Sequence, residues 1–220
     1  MYITLTIIEN EFVEIYEEIA SSLSLPIRMQ LKAEGTATQK MLDRLGLTEM
    51  GKWVMLSVSD DETKEKLLHE QKYKMYIEAP GGGISVTIPL KSIGGAKIMS
   101  VLTGGKEEEK KQPSFKFDNE LVVVICQSGY TDMVMDAARE GGARGGTVIH
   151  AKGTASKELA RFLNISIADE KEVILIVADN NEKATIMQSV IKNAGSKTDA
   201  KAIAFSLPVS DVQGFGIARE

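Results

Sequence analysis

Gly195, Asp199 and Lys201 lie close together in the stretch Gly195-Ser196-Lys197-Thr198-Asp199-Ala200-Lys201. A site for a phosphorylated ligand needs backbone amides near the phosphate oxygens, a cation, and a polar group for the sugar or base. A glycine-started turn can cradle phosphate, and Lys201 can supply the cation. The same residues have a plainer reading: Gly195 ends a helix, Asp199 stabilises a turn, and Lys201 and Lys171 are solvated strand-end charges. The other constellations are weaker. Neither a Walker loop nor G-x-G-x-x-G is present. Glu107, Glu108 and Glu109 sit in a charged stretch with no pocket to shift a pKa. Cys126 lies in an apolar run and is expected in the core, as are Met133, Met135 and Met187 on helices. His150 alternates on a strand and is expected at a surface or interface.

The elements that must position these groups can be followed along residues 118–220. Leu121–Gln127 is a short apolar run of buried-strand type. Ser128 is placed to cap a helix carrying Val134, Ala137, Ala138 and Gly141 at helical spacing. The run from Gly141 to Gly146 breaks that helix. Thr147–Lys152 is a second strand, which Gly153 turns out of. Thr154–Glu170 holds a short helix-like piece with Leu159, Phe162 and Leu163. Glu172–Ala178 is a third strand. Asp179 or Asn180 caps a helix with Ile186, Met187, Val190, Ile191 and Ala194, stopped by Gly195. Ala202–Leu207 is the last strand.

The chain repeats this order. Ala33-Glu34-Gly35-Thr36-Ala37-Thr38 corresponds to Ala151-Lys152-Gly153-Thr154-Ala155-Ser156, an offset of 153 − 35 = 118. Lys52 corresponds to Lys171, and Pro89-Leu90 to Pro208-Val209, at 208 − 89 = 119. Residues 1–103 therefore form a first copy. Its strands are Tyr2–Ile8, Ile27–Ala33 and Val54–Val58. Its helical stripe is Phe12, Ile15, Tyr16, Ile19 and Leu23, and Glu62–Gln71 is a charged helix. Thr36 and Gln39 have capping-box spacing, and Lys74–Ala79 and Ile84–Ile88 are expected to be extended. Residues 104–117, with paired glycines, a charge run and Pro113, form a linker. The order β-α-β-β-α-β predicts an α+β fold: two ferredoxin-like domains in tandem, each an antiparallel sheet with both helices on one face. The bare apolar face then needs cover from the other copy or another chain.

Composition sets bounds. A net charge of −5 with no basic run argues against nucleic acid. One cysteine and two separated histidines exclude an intrachain disulfide and a cysteine-rich or histidine-rich metal site. No secretory signal or bilayer-length apolar run is evident. A cytoplasmic protein with no membrane insertion is expected.

The second copy resembles the nitrogen regulatory PII family. The likeness runs through Gly145-Gly146-Thr147-Val148-Ile149-His150-Ala151-Lys152-Gly153, then Lys171-Glu172-Val173-Ile174-Leu175-Ile176-Val177. It closes with Gly195–Lys201 and Phe205-Ser206-Leu207-Pro208-Val209. The first copy is similar only through the repeat. The resemblance implies a trimer-forming ferredoxin-like subunit that binds adenine nucleotide between subunits and controls other proteins rather than catalysing a reaction. It makes Lys171 a phosphate-facing lysine, Thr147 a base or ribose contact, and Gly153 a point where backbone meets ligand. The chain departs from the family in three ways. Thr154–Glu170 has no tyrosine and several apolar residues, so regulation by tyrosine modification is not expected there. Ala155-Ser156 replaces a glycine-arginine pair, and the basic C-terminal arm is reduced to Arg219. In the first copy Met29 stands opposite Thr147, and Ala79-Pro80-Gly81-Gly82-Gly83 replaces the lysine-bearing turn.

These observations lead to one expectation. The chain is a PII-like regulator of nitrogen or general metabolism, with the second copy as ligand-binder and the first as structural partner. Its effector is ATP or ADP, with or without magnesium; no cofactor is required. Binding alters residues 154–170 or 36–51. Lys201 should matter more to binding than Lys91. The chain self-associates, as pseudo-trimeric rings or a dimer of tandems, and acts on an unidentified protein. The rivals are an interaction module with a decayed effector site, a metal-handling protein of copper-tolerance type, and an enzyme. Scarce His and Cys oppose the second, and the lack of a convergent acid, base or nucleophile opposes the third.

Overall fold

In the computed structural model, residues 1–36, 51–90, 117–152 and 170–214 are described. Gly153, Lys91, nearly all of the predicted linker, and the segments 37–50 and 153–169 fall outside them. The chain divides into two compact units. The first comprises Met1–Leu31, Lys52–Asn119 and Pro208–Glu220; the second comprises Lys32–Gly51 and Glu120–Leu207. Each therefore takes up a segment from the opposite half of the sequence.

In the second unit, β5 (Asn119–Gln127), α3 (Thr131–Glu140), β6 (Thr147–Lys152), β7 (Glu170–Asp179), α4 (Lys183–Ala194) and β8 (Ile203–Val209) follow one another. The strands lie in the order β8-β5-β7-β6, the ferredoxin-like arrangement. β6 and β7 are antiparallel, with Ala151 opposite Lys171. One sheet face carries Val122, Val124, Cys126, Ile174, Ile176 and Ala178 into a core closed by Val134 and Ala138 of α3 and Ile186 and Val190 of α4. The opposite face shows Ile203 and Phe205 exposed on β8.

Gly141 ends α3 where the two helices meet. A Cβ there would stand 2.6 Å from the Ile186 Cα and 3.0 Å from the Thr185 carbonyl oxygen. We expect Gly141→Ala to force the helices apart and cost about 1–3 kcal/mol. Denaturant unfolding of the variant reads that cost, and an unchanged midpoint would show that the helices yield freely.

The first unit repeats the plan. β1 (Tyr2–Ile8), α1 (Val13–Ser22), β2 (Ile27–Gly35, which passes into the second unit at Lys32), β3 (Gly51–Ser59, in this unit from Lys52), α2 (Asp61–Lys74) and β4 (Ile84–Pro89) give the strand order β2-β3-β1-β4. β1 is antiparallel to β3, with Thr4 opposite Ser57, and to β4, with Thr4 opposite Thr87. An unexpected short strand, β9 (Asp211–Gln213), pairs with β4. Ile8, Tyr16, Ile19, Met55, Leu67 and Met75 form the core beneath the helices.

Several local expectations are corrected. Ser128 and Asp179 do not cap helices through their side chains: α3 and α4 start at Tyr130 and Glu182 without a side-chain cap. Asp60 does cap α2, its carboxylate accepting from the Thr63 amide at 2.8 Å. Residues 75–79 are not a strand. α2 runs on to Lys74, and Ala79 donates to the Tyr76 carbonyl at 2.8 Å in a turn. Met135 is buried and Met187 packs on the core, but Met133 is 41% exposed.

Candidate functional site

The Gly195–Lys201 stretch folds as two linked turns. The Thr198 amide and hydroxyl both donate to the Gly195 carbonyl at 2.9 Å, and the Lys201 amide donates to the Thr198 carbonyl at 3.2 Å. A Cβ on Gly195 would lie 2.2 Å from the Ile191 carbonyl oxygen, so only glycine lets α4 end this tightly. Lys201 takes a left-handed backbone, φ 46°, which aims the chain into β8. Because the Thr198 and Lys201 amides are used within the turn, an anion there would meet the neighbouring amides and side chains.

Lys171 joins this turn through one intermediary. The Gln127 amide donates to the Ala200 carbonyl at 3.0 Å, and the Gln127 side-chain oxygen accepts from Lys171 Nζ. The end of β5, the start of β7 and the approach to β8 thus bring Lys171, Gly195, Asp199 and Lys201 to one end of the sheet. Lys171 is buried and Asp199 exposed. Gln127 was not singled out from sequence. Its importance shows in the repeat: stepping back 127 − 118 = 9 gives Glu9, and 171 − 119 = 52 gives Lys52. In the first unit Lys52 Nζ lies 2.6 Å from the Glu9 carboxylate. The same contact therefore neutralises the lysine in the first unit and leaves its charge in place in the second.

Thr147 is not part of this arrangement. It is buried, opposite Gly35 of β2 and Leu175 of β7. It lies four positions from Ala151, the residue opposite Lys171, which is about 13 Å along a strand. Beside it, the Thr36 hydroxyl donates to the Gly146 carbonyl at 2.9 Å and accepts from the Gly146 amide at 2.8 Å. Arg139 Nη2 donates to the Thr36 carbonyl at 2.6 Å. Thr36 is therefore a clamp on the Gly145-Gly146 turn; Gln39, the other half of its capping-box spacing, lies outside the described residues.

Next to Lys171, Glu172 is buried and accepts from the Thr131 hydroxyl at 2.6 Å, the Gly129 amide at 3.0 Å and the Ser128 hydroxyl at 3.4 Å. His150 Nδ1 lies 3.9 Å from it and His150 Nε2 lies 3.6 Å from Glu34 Oε1, with the imidazole 60% exposed. Burial pushes the Cys126 thiol up to about 12, as expected of a core residue and not a nucleophile. Among the described residues no cluster of three or more His, Cys, Asp or Glu is arranged to hold a metal ion, and no helix is long and apolar enough to cross a membrane.

The family model described as nitrogen regulatory protein P-II matches residues 119–216. The likeness to that family is confined to the second half of the chain. The match spans β5 to β9, so the lysine-bearing turn, Lys171 and Gln127 all lie inside it. Among solved structures, PII from Arabidopsis thaliana bound to citrate is 22% identical over 44% of this chain and 79% of that chain, with a TM-score of 0.35. A microcompartments protein from Desulfitobacterium hafniense DCB is 10% identical over 96% and 95% of the two chains, with a TM-score of 0.27. An unknown protein from Galdieria sulphuraria is 8% identical over 94% and 96%, with a TM-score of 0.30. No curated protein matches the chain.

Proposed function

We propose that the chain is a P-II-type regulatory protein whose second unit binds a small anionic effector, an adenine nucleotide, and thereby modulates a partner protein. The observation that carries this reading is the Lys171–Gln127 contact beside the Gly195–Lys201 turn. A neutral amide holds the lysine in place without cancelling its charge, so a phosphate arriving at the turn gains a nearby cation. In the first unit Glu9 occupies that position, which supports reading the first unit as the structural partner. The effector can change the protein's state only by its difference in affinity between states. Self-association would complete the site from a neighbouring subunit, which is where Thr147, at the far end of its own sheet, would contribute. Sizing distinguishes a three-chain ring from a dimer of tandems.

Thermal unfolding with ATP, ADP, AMP, cyclic nucleotides and 2-oxoglutarate, with and without magnesium, tests the reading. A ligand at about 100 times its Kd stabilises by about 2.7 kcal/mol. We expect one compound to shift the midpoint, and the shift to be lost in Gln127→Glu and in Lys201→Ala. It should persist in Lys192→Ala, which removes an exposed lysine of α4. A Gln127→Glu variant that responds like the parent would remove the basis for the assignment. No shift with any compound would favour a second reading, an interaction module with a decayed effector site. The burial of Thr147, opposite Gly35 in the sheet, supports that alternative.

A further inference from the structure

The face of the first unit's sheet that lies under its helices is lined with hydroxyls. Thr4, Thr6, Ser57, Ser59, Ser85 and Thr87 are all 0–2% exposed. They share this face because Thr4 is opposite both Ser57 and Thr87, Thr6 is opposite Ser85, and Tyr2 is opposite Ser59. The helix side is fixed by three contacts. Gln71 Nε2 of α2 donates to Thr6 Oγ1 at 2.8 Å, Lys64 Nζ lies 4.5 Å over the Tyr2 ring, and Gln213 Nε2 donates to the Leu68 carbonyl at 3.2 Å.

The second unit fills most of the corresponding layer with apolar groups, although Ser206 stands at the place of Thr87. Thr4 and Thr6 correspond to Val122 and Val124, at 122 − 4 = 118; Ser57 and Ser59 correspond to Ile176 and Ala178, at 176 − 57 = 119. Ser85 corresponds to Ala204 and Gln71 to Val190, at the same 119. These apolar counterparts belong to, or pack against, the second unit's core. The fold thus accepts a mostly apolar layer, and the first unit departs from it at position after position.

Direct bonds satisfy only part of the hydroxyl layer. Thr6 Oγ1 and Ser85 Oγ are 3.2 Å apart and share a hydrogen bond. Thr4 Oγ1, Ser59 Oγ, Thr87 Oγ1 and Gln71 Oε1 are buried with no hydrogen-bond partner among the described residues, and the Tyr16 hydroxyl faces those of Ser57 and Thr6. Several orphaned oxygens cost about 1–3 kcal/mol each if left dry. Side chains directly opposite across a sheet stand about 4.5–5.5 Å apart at Cβ. A single oxygen between them can bridge two hydroxyls.

We propose that this layer is an internal binding site for ordered water, running across the sheet from Tyr16 and Ser57 through Thr4 to Thr87. The chemistry selects a neutral occupant that both donates and accepts. The Lys64 ammonium at the Thr87 end opposes a cation, and Asp211, 3.3 Å from that ammonium and opposite Thr87, opposes an anion. The exit is the surface pocket lined by Glu65, Leu68, His69, Glu78, Asp211 and Gln213, with a volume of about 540 Å³. Gln213 lines the pocket and also holds a buried unpartnered Oε1. Buried waters of this kind make about three hydrogen bonds each and are costly to remove.

Thr4→Val separates the two states of the layer. In a hydrated layer it deprives a water of its central partner, and the melting midpoint falls by about 2–4 °C. In a dry layer it deletes an orphaned hydroxyl, and the midpoint rises. Thr4→Ser keeps the hydroxyl and should stay close to the parent midpoint. A high-resolution crystal structure of the unaltered protein should show waters bonded to Thr4 Oγ1, Ser57 Oγ and Thr87 Oγ1. A rise in the Thr4→Val midpoint above Thr4→Ser, density with none of these waters, or an ion or organic molecule in their place overturns the proposal.

Discussion

Replacing Glu172 with alanine is expected to destabilise the second unit by about 2–3 kcal/mol, the cost of removing a buried charged acceptor from its donors. The carboxylate takes bonds from Ser128, Gly129 and Thr131, which together form the entry to α3. No side chain caps α3 in the ordinary way, so Glu172 of β7 provides the tie from outside the helix. The pH dependence has a definite sign. Burial alone pushes the Glu172 carboxyl up, but the bonds from Thr131 and Gly129, the nearby His150 and the bond from Ser128 outweigh it and hold the carboxyl below its ordinary value of 4.5. A carboxyl lowered on folding contributes its full stability above the unfolded value and loses it as pH falls through the folded value. Parent and Glu172→Gln unfolding midpoints should therefore differ most above pH 4.5 and converge in more acidic solution. A constant gap across that range would mean that the side chain acts by packing, not by charge.

Gly195→Ala is expected to have the largest effect on the candidate site. The new methyl would be placed 2.2 Å from the Ile191 carbonyl oxygen and 3.0 Å from its carbon, both rigid backbone of α4. Relief requires unwinding the helix end or displacing the turn, at about 3 kcal/mol or more. Displacing the turn moves the Ala200 carbonyl, which receives the Gln127 amide, and so disturbs the group that holds Lys171. Both the unfolding midpoint and any effector-induced shift should fall. A variant with a lowered midpoint and an intact effector shift would place the ligand elsewhere.

Much of the architecture is visible in the residue pattern. The 118–119 register makes two copies, and both show the expected β-α-β-β-α-β order of elements. The apolar periodicity of Val134, Ala137 and Ala138 lies on the buried side of α3. Helix starts were less legible. Ser128 and Asp179 have capping side chains at plausible spacing, yet the Ser128 hydroxyl bonds to Glu172, and Asp179 lies 3.2 Å from Arg144. Short polar side chains have several partners of similar strength within reach, and distant strands decide among them. Met133 failed for a related reason. Helical spacing places a residue on a face, but the neighbouring element decides how wide the buried face is.

The candidate site was half legible. Gly195, Asp199 and Lys201 are adjacent in sequence, so their turn could be anticipated. That Lys171 joins them, through Gln127, depends on the meeting of β5, β7 and the approach to β8. That Thr147 does not join them depends on the direction of β6. The hydroxyls at alternate positions of β1, β3 and β4 were present in the residue string as well, but alternation alone does not say which face the helices cover.

The sequence by itself determined the repeat, the element order and the turn chemistry at Gly195, because these rest on local backbone preference and on a pattern compared with itself. The tertiary structure decided which charges remain uncancelled and which polar groups are buried. Those outcomes depend on pairs such as Lys52 with Glu9, Lys171 with Gln127, and Thr4 with Ser57 and Thr87. Such residues are far apart in the chain, and only strand register brings them together.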